Sequence, residues 1–326
     1  MSAVEGDVVS TNGEAQAPVA PAPSKARTLM AIGAVVVVLV AAVFAIYRER
    51  HSFTDTLHRV GIAAMLESFA LGLLGAGATY PTWREVLAGL GAPLPWTAGA
   101  RVFFVSQLGK YVPGSVWPTL LQMQAGRRYG AARRTMLAGG LITVLLNCCV
   151  GLLVGCVLLP LYNAHALAHY WWALLALPFL LVLLHPRALT ALLDRVFALV
   201  HRPPLGERLP VRASLRAGAW AILSWVALGA HLAVLCAALG PGGLSTVVLC
   251  TGAMGVSVAL GVLAIPVPAG AGIREAVLVL ALAPILAAGP ALALAVASRV
   301  ILILCDVTLG LAGLALGPLR DDREGG

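Results

Sequence analysis

The feature that most constrains this chain is stretch after stretch of apolar residues, each close to the length of a membrane crossing and nearly free of charge. About 20 helical residues cross a bilayer's hydrocarbon core. Backbone groups in lipid must be satisfied internally, so such runs fold as helices. They fall at 29–47, 60–80, 135–160, 169–185, 217–239, 245–265, 274–289 and 291–316. Only 11% of residues are charged and mean hydropathy is +0.92, whereas a soluble domain carries about 25% charged residues. The apolar–polar alternation of an outer-membrane barrel is missing. The sequence therefore predicts an all-α, polytopic integral membrane protein, with about eight transmembrane helices and one or two re-entrant or broken segments.

Three domains follow: a disordered, Ala/Pro/Ser/Thr-rich cytoplasmic tail at 1–28, a membrane domain at 29–317, and a short polar cytoplasmic tail at 318–326. A cleaved signal peptide fits poorly, because the polar lead is long and holds few basic residues. Orientation comes from arginine. "AGRRYGAARR" holds Arg127, Arg128, Arg133 and Arg134 without an acid, and 185–216 carries six Arg against Asp194 and Glu207. "PLYNAHALAH" and "GPGGL" contain no charge. The positive-inside rule sets the basic loops and both termini in the cytoplasm, with Arg48, Arg50 and Arg59 as the conflict. Arg-rich, Lys-poor usage points to a GC-rich bacterium and hence its plasma (inner) membrane. The basic residues form no stripe interleaved with aromatics, so nucleic acid is not an expected partner. Residues 187–200 place Leu189, Leu192, Leu193, Val196, Phe197 and Val200 at mostly three-to-four spacing. They read as an interfacial helix, structural linker before lipid sensor.

Two stretches interrupt the apolar pattern. "FFVSQLGKYVPGSVWP" at 103–118 lies in a less regular region, 81–134, that starts and ends on the cytoplasmic side and so reads as re-entrant. Irregular backbone at membrane depth is tolerated where protein buries it or where it lines a watery cavity. Pro113 lacks an N–H and Gly114 reaches dihedrals other residues avoid. The second stretch is "AIPVPAGAGIREAVLVL" at 264–280, where Pro266 and Pro268 stop one helix, Gly270 and Gly272 loosen the chain, and Arg274–Glu275 open the next run. A helix N-terminus suits an anion, and arginine there adds bidentate phosphate recognition. One Pro/Gly-broken segment in each half is the pattern of a transporter site; two ordinary loops at helix ends are the alternative.

Three charges lie deeper. Glu67 falls a third of the way into its span, and Arg299 and Asp306, seven apart, share a helix face. Intramembrane charges mark function or an internal ion pair, and a pairing among these three fits as well as a transport role. His231 and Asn147 read as interhelical hydrogen-bonding residues. Cys148, Cys149, Cys156, Cys236, Cys250 and Cys305 lie in apolar runs without metal-ligand spacing and read as small packing residues. Neither a metal site nor a cofactor is expected. Catalytic residues are not expected either, since no HExxH, GxSxG or P-loop is present.

The two interrupted stretches, with the basic turn "GRRYGAARR" between them, resemble the membrane region of lysylphosphatidylglycerol synthases, the flippase-like domain family, over about 55–320. That family has a KY-PG element in its first half and a P-P-G-G-RE element in its second. The matching positions are Lys110, Tyr111, Pro113 and Gly114, then Pro268, Gly270, Gly272, Arg274 and Glu275. The resemblance implies a domain that moves a lipid between leaflets, with membrane lipids as partners and these positions as headgroup-binding candidates. In larger relatives a separate C-terminal soluble domain makes the lipid. This chain ends at "GPLRDDREGG", so it is expected to stand alone without synthase activity. Stand-alone relatives are associated with glycosyltransferases and lipid-linked sugars. The expectation is a lipid translocator for an anionic phospholipid, lipid-linked sugar or polyprenyl phosphate. The alternatives are a membrane-embedded transferase, an accessory subunit of a glycosyltransferase or lipid-modifying enzyme, or a structural scaffold whose charges only pair internally.

Overall fold

The computed structural model describes residues 50–111, 117–126, 129–162, 175–199, 208–240, 242–264, 270 and 272–316. The tails, the span at 29–47, and Pro113, Gly114 and Pro268 lie outside the described residues. The described residues form ten α-helices: α1 (Arg50–Gly89), α2 (Trp96–Gln107), α3 (Trp117–Gly126), α4 (Arg133–Tyr162), α5 (Ala176–Leu184), α6 (Pro186–Leu199), α7 (Val211–Ala237), α8 (Leu244–Leu263), α9 (Ile273–Leu282) and α10 (Ala288–Ala315). A single 3₁₀ turn, Leu108–Tyr111, extends α2. Among these, α1, α4, α7, α8 and α10 are long and apolar enough to cross a membrane, and the bent pair α5–α6 makes a sixth if it counts as one span. The chain is a multi-pass, all-α membrane protein.

Two expected boundaries move. The helix expected to stop at 80 runs through Pro81 to Gly89. Thr79 and Thr82 bond the carbonyls of Ala76 and Ala78 around the interrupted turn, a repair that lets membrane helices keep a proline. Trp83, Val86 and Leu87 then bury their side chains, so the extra turns are packed rather than frayed. The helix closes in a Schellman motif, with Ala92 N–H on the Leu87 carbonyl, Gly91 N–H on Ala88, and Gly91 at φ 76°. The second correction is the full span expected at 274–289. Helix α9 has 10 residues, about 15 Å of rise, or half a crossing. Helix α6 also departs from expectation: its stripe of Leu189, Leu193 and Phe197 is buried in the protein core instead of facing lipid.

Contacts along α1 and α7 set the topology. Glycine 89 abuts Leu209 and Ala213, Gly75 abuts Leu228, Ser68 bonds His231, and Arg59 donates to the Leu239 carbonyl. The two helices are therefore antiparallel. One end of the bundle gathers the end of α1 and the starts of α4 and α7, through Gly89 on Ala213 and Gly139 on Leu87, so the described arginines Arg133, Arg134, Arg208, Arg212 and Arg216 lie toward one end. Each half repeats an order of long helix, broken hairpin, long helix: α1, α2–α3, α4, then α7, α8–α9, α10. Because α1 and α7 run oppositely, the two hairpins enter from opposite ends.

Helix α10 serves as the spine between them. From the basic end, α2 and its 3₁₀ turn run back along α10, with Arg101 and Phe104 beside Gly313, Leu108 on Gly310, and Lys110 on Asp306. From the other end α9 pairs with α10 through Glu275 and Arg299. The residues flanking both breaks, Lys110 and Tyr111 on one side and Gly270 and Arg274 on the other, thus border one cavity inside the bundle.

Candidate functional site: a charged cavity where the two hairpins meet

At 1.5 Å per residue, Arg299 lies about 17 Å from the first residue of α10 and Asp306 about 14 Å from its last. Charges at that depth need partners, and each finds one in a different hairpin. Asp306 Oδ2 sits 2.7 Å from Lys110 Nζ and also accepts the Tyr111 hydroxyl. Arg299 donates to Glu275 Oε1 at 2.6 Å. The other Glu275 oxygen takes the Gly272 N–H at 2.6 Å, capping α9 with its own third residue. The expected trio of Glu67, Arg299 and Asp306 is thereby corrected. Glu67 is exposed on α1 and takes no part. Arg299 and Asp306 do share a face, but each reaches for its own broken segment.

These groups line one cavity of about 330 Å³. Lys110, Tyr111, Gly270, Arg274, Arg299 and Asp306 all border it, so most of the described positions named from the two stretches converge. Gly272 and Glu275 stand just behind, holding α9 and Arg299. Arg274 is the exceptional member. It is mostly buried, with Arg299, Glu275, Tyr111 and Asp306 in electrostatic range. Among the described residues it makes no ion pair or hydrogen bond. Its stem is seated by a glycine contact: a Cβ at Gly261 would lie 2.6 Å from Arg274 Cγ. Gly270, at φ 66°, is pressed so closely to Gly261 that a Cβ there would lie 2.5 Å from its Cα. Only glycine at both positions lets α9 bring its arginine against α8.

Elsewhere neutral polar groups tie the helices together, and of these the sequence pointed to His231 and Asn147 but not to Gln122. Gln122 on α3 accepts the Trp83 indole N–H at 3.0 Å and donates to Ser106 Oγ at 3.1 Å, tying α1, α2 and α3 together. A buried amide in "LLQMQAG" was the available signal, obscured because 81–134 looked irregular throughout. His231 bonds Ser68 and, at 2.9 Å, Ser298, joining α7 to α1 and α10. A neutral imidazole protonated on Nδ1 satisfies every one of these contacts. Asn147 differs from expectation: its amide bonds Thr143 on its own helix, while its backbone carbonyl accepts the Trp225 indole N–H across to α7.

A family model, the lysylphosphatidylglycerol synthase TM region, matches residues 27–310, most of the chain. The chain belongs to that family. Membership of the lysylphosphatidylglycerol synthase transmembrane family carries a membrane lipid-related role. No curated protein and no solved structure matches.

Proposed function

We propose that the chain translocates a lipid with an anionic headgroup, using the cavity between the two hairpins as the headgroup's station within the membrane. The observation that carries this reading is Arg274, a guanidinium that makes no ion pair among the described residues and borders one cavity with Lys110, Tyr111 and Gly270. A buried cation is costly unless compensated. Here Lys110 pairs with Asp306 and Arg299 with Glu275, while Arg274 makes no ion pair among the described residues. A phosphate or similar oxyanion does so with two parallel hydrogen bonds. The same cavity borders apolar residues such as Phe104, Val144, Val262 and Leu309, which suit the first carbons of a lipid tail.

The experiment is leaflet exchange in vesicles. Reconstituted protein is mixed with phosphatidylglycerol carrying a fluorophore on its chain, and the fraction reached by a membrane-impermeant quencher is followed over time. Wild type should accelerate exchange, and Arg274→Ala should lose at least about tenfold, the worth of ~1.4 kcal/mol. Wild-type vesicles that exchange lipid no faster than protein-free ones would sink the proposal.

A further inference from the structure

Glu67 has no place in the cavity, yet its position on α1 is costly. It lies within the apolar run from Val60 to Tyr80, six residues or about 9 Å beyond the bend at Gly61. The next residue, Ser68, turns inward and bonds His231 on α7. Glu67 turns outward and is exposed, and among the described residues it makes no ion pair or hydrogen bond. Arg59, the nearest cation in the sequence, is engaged with the Leu239 carbonyl. Exposed apolar side chains flank Glu67 in both directions, Ile62 and Leu66 toward the bend and Leu74 away from it, so it stands at hydrocarbon depth. A charged side chain there as a rule faces the bundle interior or pairs with another; Glu67 does neither within the described bundle. Ala63, Glu67, Ala70 and Leu74 succeed one another at spacings of four, three and four, and all are exposed. That spacing is the seam of a helix pair, and small residues on either side of Glu67 let a second backbone come close.

We propose that this seam is an intramembrane docking face for a helix of another membrane protein, one that presents a lysine or arginine at the depth of Glu67. The carboxylate decides the chemistry of the occupant. The chain's own apolar run at 29–47 holds no cation, so it could cover the seam but not neutralise it. A second copy docked through the same face across a two-fold axis brings Glu67 against its counterpart, and like charges repel strongly in a low dielectric. A basic residue on a partner helix forms charge-assisted hydrogen bonds with the carboxylate. That residue is itself costly in lipid, so the need is mutual. Apolar fit alone selects no partner, because lipid tails are as apolar as leucine; the charge pair does. Ala76, Thr79 and Trp83, the α1 residues that border the cavity, lie on the opposite side of the helix from the seam. A docked helix therefore leaves the cavity lining untouched.

Förster transfer between the labelled full chain and synthetic transmembrane helices, in vesicles of zwitterionic phosphatidylcholine, reads the docking. Three Leu/Ala helices are compared, carrying lysine, leucine or glutamate about 9 Å from one end of the apolar stretch. Wild type should associate at least about tenfold more tightly with the lysine helix than with the leucine helix, the scale of one interhelical polar contact. The glutamate helix should associate least. Glu67→Gln should bring the lysine and leucine helices within about twofold of each other, and Glu67→Lys should turn the preference toward the glutamate helix. Both variants should keep the wild-type unfolding midpoint in detergent, so that a lost preference is not a lost fold. Equal association of wild type with the lysine and leucine helices overturns the proposal. Transfer between differently labelled wild-type copies that Glu67→Gln abolishes also overturns it and assigns the face to a second copy. A photoreactive phenylalanine analogue in place of Ala70 that crosslinks only to residues 29–47 of its own chain overturns it too, since the face is then already covered.

Discussion

The two ion pairs of α10 look alike but should contribute very differently. Glu275 and Arg299 are both mostly buried, and Glu275 also caps α9. Removing one partner of a buried pair leaves an uncompensated charge, with losses of about 3–5 kcal/mol. Lys110, by contrast, is the partly open member of its pair, and the buried Asp306 keeps the Tyr111 hydroxyl and has Arg274 in electrostatic range when the lysine is removed. Glu275→Ala should therefore lower stability by ~3 kcal/mol and Lys110→Ala by clearly less, read as denaturation midpoints in one detergent. Leaflet exchange should show a different ranking, with Lys110→Ala impaired more than its stability loss explains. Equal stability losses would mean that the two pairs serve the same structural purpose, and Lys110 would lose its standing as a ligand group.

At the scale of elements, the position of Arg274 depends on how closely α8 admits α9. Gly261 has no room for a methyl group, because the arginine's own Cγ and Cδ would lie 2.6 and 3.0 Å away. Gly77 on α1 has nothing within 4 Å. Gly261→Ala should abolish exchange by displacing the guanidinium, whereas Gly77→Ala should leave exchange unchanged and raise stability by up to about 1 kcal/mol through helix propensity. Both are read by the vesicle assay and by unfolding in detergent. If Gly261→Ala exchanges lipid normally, the seat is irrelevant to Arg274. The two breaks were legible in the sequence because Pro and Gly clusters are rare punctuation in a chain of Ala, Leu and Val. So were the deep charges on α10, since intramembrane charges stand out by their cost. Partnership was not legible: Glu67 is as plausible a mate for Arg299 as Glu275 until the helices are packed. Helix ends were also hidden. Apolar side chains face lipid and protein alike, so the pattern alone does not show that α1 continues past Pro81 or that α9 stops after half a crossing. The burial of Leu189, Leu193 and Phe197 was missed for the same reason, an amphipathic stripe being equally suited to a membrane surface and a protein groove.

Across the whole molecule, the antiparallel course of α1 and α7 sends the two broken hairpins in from opposite ends to meet at one helix. A site flanked by two broken hairpins entering from opposite ends is the arrangement in which rocking one half against the other opens it to either side in turn. The contacts between halves differ in what they would resist. The second hairpin is latched to α10 by Glu275–Arg299, inside its own half. The first hairpin touches α10 across the halves, through Lys110–Asp306, Tyr111–Asp306 and the seating of Leu108 on Gly310. Motion is therefore expected at the Leu108–Gly310 contact. A Cβ at Gly310 would lie 3.1 Å from Leu108 Cγ, close enough for paired cysteines to approach the Cβ spacing of about 3.5–4.5 Å that a disulfide bridges. Leu108→Cys with Gly310→Cys should exchange lipid when reduced, stop when oxidised and recover on reduction, while native mass spectrometry still finds the headgroup bound. Exchange that continues at the full rate with the bridge closed would show that the first hairpin stays fixed on α10, and that lipid passes without one half moving against the other.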